Sequence, residues 1–266
     1  MKIANKIVLV TGGANGVGKA LCERFHAEGA AQIYIADIDF ENAEKVAESV
    51  GGKALKLDVA DEVNCKDVVT QILDEDGRLD FIASNAGIGG AEGSLEVSNE
   101  DWRNIYEINV LSHVFLARAA FPAMIERGSG AFMITASAAG LLTHPLGAPY
   151  AATKHAAVAL AENFALEFFE KGIYVSCLCP QGVITQMIDG ENNPNRFLMA
   201  DAITAEVCAD SVVEALEAET FLILPHAEVA KYIVNKAENR DRWLHQLRKM
   251  RSAVLAQREN FADRSK

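Results

Sequence analysis

Cysteine is scarce in this 266-residue chain: Cys22, Cys65, Cys177, Cys179 and Cys208 are odd in number and contain no C-x-x-C pair. Neither a disulfide framework nor a zinc ribbon follows from that pattern, and the five read as buried thiols in a reducing compartment. Six histidines form no H-E-x-x-H and have no cysteine partner at ligand spacing, so no catalytic metal is expected. Basic residues are also in deficit, 25 Lys and Arg against 37 Asp and Glu. A net charge of -12 speaks against a general nucleic-acid binder, whose affinity rests on cations neutralising phosphates. The only apolar run near the N-terminus, residues 7–10, is too short for a signal-peptide core or a membrane span, so a cytoplasmic location and no membrane partner are expected. No repeat, low-complexity tract or Pro/Ser-rich linker divides the chain.

What is present is a 50% hydrophobic composition, enough for a large core, arranged as short β-rich runs alternating with helical spacing. The runs fall at residues 7–10, 32–36, 54–57, 81–84, 131–135, 174–179 and 221–224. They are almost wholly apolar rather than alternating, as strands covered on both faces should be. The expected fold is therefore α/β: a Rossmann-like, doubly wound, mainly parallel sheet of seven strands. Residues 1–225 would form a dinucleotide-binding catalytic domain, and residues 226–266 a helical extension packed on it. Turn-forming residues cluster at 189–195, which reads as a mobile loop beside a site.

The first strand is followed by Thr11-Gly12-Gly13-Ala14-Asn15-Gly16-Val17-Gly18-Lys19 and then a helical pattern. Glycines let the backbone turn sharply and approach a pyrophosphate at the positive end of the helix. Gly13 to Lys19 also fits part of a P-loop, but that motif needs Ser or Thr next and the chain has Ala20. The second strand ends at Asp37, about twenty residues beyond the glycines, where a dinucleotide fold binds the adenosine ribose. A carboxylate there accepts from the ribose hydroxyls and repels a 2′-phosphate, and no Arg or Lys lies between Gly12 and Val17. NAD rather than NADP is the expected cofactor.

Tyr150 and Lys154 are four apart in an Ala-rich stretch and would share one helix face. A free tyrosine, with a pKa of about 10, is a poor base at neutral pH. A nearby ammonium and the positive ring of oxidised NAD would lower it, so that Tyr150 could take a proton from an alcohol as hydride leaves the adjacent carbon. Ser137 follows the fifth strand at a carboxyl edge and can hold the substrate oxygen.

Together these residues resemble the short-chain dehydrogenase/reductase family. Thr11, Gly12, Gly16 and Gly18 match its T-G-x-x-x-G-x-G turn, Leu57-Asp58-Val59 its adenine-contacting strand end, and Asn85-Ala86-Gly87 its N-A-G sequence. Asn109, Ser137, Tyr150 and Lys154 resemble its catalytic tetrad. The resemblance implies that Lys154 also binds the nicotinamide ribose and that Asn109 holds a water in a proton relay. It implies further cofactor contacts at Asn15, Val17, Ile38, Asp58, Val59, Asn85, Ala86 and Gly87, and at Val183 and Thr185 after the sixth strand. There the usual P-G-x-V-x-T reads Pro180-Gln181-Gly182-Val183-Ile184-Thr185, with Gln181 where Gly is usual. A homodimer, with a tetramer left open, is implied as well.

Leu142 and His144 before Tyr150, and Met187 after Thr185, are the substrate-side candidates, with Ser137 and Tyr150. Leu141, Leu146, Ile188, Phe197, Leu198 and Met199 lie in the same apolar segments, and His144 is better read as hydrogen-bonded and structural. Their character predicts a small-molecule hydrophobic alcohol or ketone as the partner. Residues 236–266 carry nine Lys and Arg against four Asp and Glu, with Val229, Ile233, Leu244, Leu247 and Met250 at helical steps. They read as amphipathic helices laid on the domain or on a second subunit, and Trp243 as a cap on the pocket. The alternative is a noncatalytic NAD-binding regulator or scaffold, which would need the glycines and Asp37 but not Ser137, Tyr150 and Lys154.

Overall fold

The computed structural model describes residues 1–187 and 196–264. Seven strands, β1 (Ile7–Thr11), β2 (Gln32–Asp37), β3 (Lys53–Lys56), β4 (Phe81–Ser84), β5 (Gly130–Thr135), β6 (Ile173–Leu178) and β7 (Leu222–Ile223), form one parallel sheet in the order β3-β2-β1-β4-β5-β6-β7. All seven expected runs are strands, with ends shifted by a residue or two. The largest change is at β7, an edge strand whose register pairs only Cys177 with Leu222 and Leu178 with Ile223. The loop expected at 189–195 lies outside the described residues.

Because parallel strands need crossover connections, helices cover both faces. These are α1 (Gly16–Ala27), α2 (Phe40–Val50), α3 (Glu62–Asp76), α4 (Asn99–Tyr106), α5 (Ser112–Arg127), α6 (Ala139–Leu142), α7 (Ala148–Phe168), α8 (Ala205–Glu217), α9 (Glu228–Glu238) and α10 (Arg240–Arg264). One face of the sheet builds a core with α3, α5 and α7, where Phe121 meets Phe132, Phe164 and Phe168 edge to face. The other packs Val8, Val10, Ile33 and Ile35 against α1, α2 and α8. A third, smaller cluster joins Ala138 and Leu142 to Val229, Tyr232, Ile233 and Trp243, and so lays the extension on the body.

Between α4 and α5 the helix runs through a π turn, Glu107–Leu111. The continuous stretch Asn99–Arg127 is long and apolar enough to cross a membrane by composition, but half of the qualifying window is buried inside the fold. Its apolar residues are those of a core helix. The inward stripe of α10 differs from the one expected: Trp243 and Leu247 are half-buried and Val254 is buried, whereas Leu244 is exposed. Leu247 and Met250 line the cleft as the spacing suggested, and Trp243, hydrogen-bonded to the Leu142 carbonyl, takes the inward place at its turn instead of Leu244.

Candidate active site

The sheet changes direction at β1 and β4, which separate at their carboxyl ends, and a cleft of about 820 Å³ opens there. Its floor is the glycine turn. Gly12 and Gly16 lie at φ +64° and +52°, in the left-handed region open to glycine at little cost. A Cβ on Gly18 would sit 2.0 Å from the Gly12 carbonyl oxygen, so only glycine lets turn and helix meet. Thr11 locks the turn to β4: its hydroxyl accepts from the Asn85 and Ala86 amides at 3.0 and 3.1 Å, and Asn85 Nδ2 donates to its carbonyl at 3.1 Å.

α2, α3, α4 and α8 each begin with a side chain accepting a backbone amide, from Asp39, Asp61, Ser98 and Thr204. α1 begins at Asn15 with no such bond and no acid in its first turn. Its amides are thus left for an anion brought from outside. At the end of β2, Asp37 accepts from the Ala14 and Asp39 amides, each at 3.0 Å, which fixes its carboxylate at the cleft edge. A glycine cradle that a Cβ would fill, an uncapped helix start and a fixed carboxylate beyond it together fit a dinucleotide. Gly12, Asn15, Gly16, Val17, Gly18, Asp37, Ile38, Asp58, Val59, Asn85, Ala86, Gly87, Val183 and Thr185 all line this cleft.

The other end of the cleft holds Ser137, Tyr150 and Lys154. Ser137 follows β5, and its hydroxyl accepts from the Ala139 amide at 3.1 Å. Tyr150 and Lys154 lie one turn apart on α7, with Lys154 Nζ 5.8 Å from the Tyr150 ring centroid. Lys154 is buried and donates to the Thr135 carbonyl at 2.9 Å. Burial lowers its pKa to about 8.

Burial works against the lowering expected for Tyr150 from the ammonium and the ring of oxidised NAD together. Burial raises its pKa, and a hydrogen bond from Ser137 opposes that only in part.

Asn109 is the one tetrad residue that does not line the cleft. It is fully buried in the π turn, where its amide group exchanges two bonds with the backbone of Ile88, both 2.9 Å, and reaches Thr153 Oγ1 at 3.2 Å. A Cβ at Gly87 would stand 3.1 Å from Asn109 Oδ1 and 3.3 Å from Lys154 Nζ. Glycine there keeps a gap between amide and ammonium.

Of the substrate-side candidates, Leu142, His144 and Met187 all line the cleft. His144 also braces it: its Nδ1 accepts from the Gly147 amide at 2.9 Å and its ring meets Tyr150 edge to face at 5.9 Å. Burial lowers its pKa. The placements of Ile188 and of the Phe197 and Leu198 side chains lie outside the described residues. The Gln181 departure is absorbed by His226, which the sequence did not single out. Buried after β7, it accepts from the Gln181 amide through Nδ1 (3.2 Å) and donates from Nε2 to the Gly182 carbonyl (3.1 Å). Cys177 and Cys179 lie below the site with sulfurs 3.7 Å apart, both buried. Among the described residues no group of three or more His, Cys, Asp or Glu could hold a metal ion.

A dinucleotide cradle opening onto a Ser, a Tyr and a Lys defines an oxidoreductase site. Residues 6–196 match the family described as short chain dehydrogenase. The chain is 32% identical over 253 residues to 1-deoxy-11-beta-hydroxypentalenate dehydrogenase of Streptomyces exfoliatus, covering 92% of this chain and 91% of that one. It is 39% identical over 190 residues to 2,5-dichloro-2,5-cyclohexadiene-1,4-diol dehydrogenase of Sphingobium indicum, covering 70% and 76%. A short chain dehydrogenase/reductase from Burkholderia phymatum, solved in complex with NAD, superposes with a TM-score of 0.81 at 25% identity, covering 91% of this chain and 96% of that one. This chain belongs to the short-chain dehydrogenase/reductase family. It is an oxidoreductase acting on CH–OH groups, and its fold supports a nicotinamide cofactor.

Proposed function

We propose that this protein uses NAD to interconvert a hydrophobic secondary alcohol and its ketone, with Tyr150 as general acid and base. The observation that carries this reading is the placement of Ser137, Tyr150 and buried Lys154 in the same cleft as the cradle bounded by Asp37. A purely nucleotide-binding role leaves a buried ammonium beside a phenol without a purpose.

Gly12, Gly16, Gly18 and the open start of α1 would hold the pyrophosphate, and Asp37 the adenosine ribose. When bound, the nicotinamide supplies the two-electron acceptor for the hydride. Ser137 and Tyr150 grip the alcohol oxygen; Tyr150 takes its proton at the phenolic oxygen during oxidation and returns it during reduction. Lys154 holds its charge close to that phenol, and the gap at Gly87 suits a water joining Lys154 to Asn109 for proton exchange. Asp37 favours NAD because a 2′-phosphate would meet a carboxylate already fixed by two amides. The five buried thiols support a reducing, cytoplasmic setting, and exposed apolar residues on α4 and α7, Tyr106 and Leu166, support a homodimer.

The test is a screen of secondary alcohols with NAD and NADP, following absorbance of the reduced cofactor. Tyr150→Phe is expected to lower kcat by roughly 10²–10⁴-fold. Asp37→Asn removes the charge, at the cost of one of the two acceptor oxygens, and should move the cofactor preference toward NADP by about tenfold or more. Equal turnover by Tyr150→Phe would remove the assigned acid/base; a wild-type preference for NADP would remove the role given to Asp37.

A further inference from the structure

Hydride transfer accounts for the cradle and for the Ser, Tyr and Lys, but not for the helix that bounds the cleft on its outer side. From α10, Trp243, Gln246, Leu247 and Met250 reach the cleft lining, and from α9 so does Tyr232. Half-buried Trp243 and Leu247 and buried Val254 make an inward stripe at helical steps, and Met250, itself 41% exposed, stands at its edge with one side on the cleft. The stripe is pinned at both ends. Trp243 Nε1 donates to the Leu142 carbonyl at 3.2 Å, and its ring leans on Tyr232 with centroids 6.2 Å apart. At the far end Arg258 grips Glu92 with two bonds, 2.7 and 2.9 Å, tying α10 to the loop after β4. Between these anchors Leu247 and Met250 line the cavity, as Leu142 and Met187 do.

The charge on this side is one-sided. Beyond Lys154, the described lining contains no Lys or Arg, while Glu92 and Asp201 are both part of it. Among the described lining residues a carboxylate or phosphate would find no cation but Lys154 at the reaction end, since Arg258 is taken up by Glu92, and it would meet Asp201. A flexible chain laid against a rigid roof would lose about 0.5–1.5 kcal/mol for each immobilised rotor, whereas fused rings lose none. Apolar rings also suit a lining that includes the aromatic side chains Trp243 and Tyr232, and methionines adapt to an irregular outline.

We propose that α10 is the specificity wall of this site and that its substrate is an uncharged alcohol carried on a rigid, multi-ring apolar body. The rings rest against Trp243, Leu247 and Met250 while the hydroxyl stands at Ser137 and Tyr150. The orientation of that hydroxyl rests on the reaction proposed above; the grip on the rings does not.

The experiment therefore reads binding apart from turnover. Calorimetry on the full chain loaded with NAD would compare 2-decalone, 2-butanone and a decalone bearing a carboxylate, pairs of ketone and oxidised cofactor that cannot react. The wild type should bind 2-decalone at least tenfold tighter than either other ketone. Trp243→Ala and Leu247→Ala should each erase about tenfold or more of the preference over 2-butanone, leaving NAD binding unchanged. Leu247 has no side-chain hydrogen bond to lose, so its variant keeps both anchors even if Trp243→Ala folds poorly. Equal affinity for decalone and butanone, a preference that survives in the Leu247 variant, or tight binding of the carboxylate would each overturn the proposal. If the ring preference holds while no alcohol is oxidised, the proposed reaction fails and the binding wall stands.

Discussion

Thr143 sits between the two halves of the substrate wall at φ 85° and ψ 165°, a region that belongs almost to glycine alone. It is held there by neighbours whose groups are already committed: the Leu142 carbonyl to Trp243, and the His144 ring to the amides of Leu146 and Gly147. Thr143→Gly should accordingly stabilise the fold by about 1 kcal/mol, relief of strain exceeding the added chain entropy, and a lower urea midpoint would disprove the strain. Lys154 stores a larger cost. Its pKa of about 8 lies below the ordinary 10.5, so folding disfavours the charged form, by roughly 3 kcal/mol at neutral pH. Lys154→Met should make the protein more stable while abolishing turnover, with a gain reduced by loss of the bond to Thr135. Because the unfolded lysine binds more protons than the folded one between pH 8 and 10.5, wild-type stability gains on the variant through that window. Denaturant midpoints of the two at pH 7 and 10 check both sign and size. Tyr150, Lys154 and Ser137 were legible in the sequence through their spacing together with the resemblance to the family's tetrad. His226 was not, since its role exists only because the ends of β6 and β7 lie side by side, and no local pattern records that.

At the scale of elements, the strands were readable because a sheet covered on both faces leaves continuous apolar runs, and β4 was placed to the residue. The π turn was not readable. Its extra backbone residue re-aims Asn109 away from the cleft and onto Ile88, and nothing in Glu107-Ile-Asn-Val-Leu111 distinguishes that turn from ordinary helix. Asn109→Leu would leave the amide and carbonyl of half-buried Ile88 without their partner, costing at most about 1–3 kcal/mol for each group. A smaller loss would mean that Ile88 finds other partners. The extension was recognised as amphipathic helices, but its inward stripe was misassigned at Leu244, where neighbouring Trp243 turns to the body and hydrogen-bonds to the Leu142 carbonyl. The Glu92 and Arg258 pair is a partly exposed clasp, of the kind that contributes about 0.2–1 kcal/mol to global stability. Glu92→Gln should therefore leave the urea midpoint almost unchanged yet speed hydrogen exchange in the last turns of α10 around Arg258. Unchanged exchange there would show that the clasp does not hold the helix.

Over the whole molecule, thiols decide the alkaline limit. All five cysteines are buried, and burial raises Cys65 and Cys208 to about 12 and pushes Cys22 higher still. Cys177 is raised by its hydrogen bond to Cys179 and by burial. An unfolded thiol ionises near 9.0, so above that pH the folded chain binds more protons than the unfolded one, and stability falls as pH rises. Each such thiol removes about 1.4 kcal/mol per pH unit until it titrates in the fold. Lys154 acts in the opposite sense over pH 8 to 10.5, and Lys236, whose pKa burial also lowers, acts in that sense too, but they are two groups against at least four. The net prediction is a stability maximum below pH 9 and a steep decline beyond it, read from urea midpoints at pH 8, 9.5 and 11. Cys65→Ala and Cys208→Ala, which remove two of the titrating groups, should flatten that decline in proportion even though each creates a small cavity that lowers stability at every pH. If the decline is equally steep without them, the alkaline limit lies in the acidic surface and its net charge of -12, not in the core.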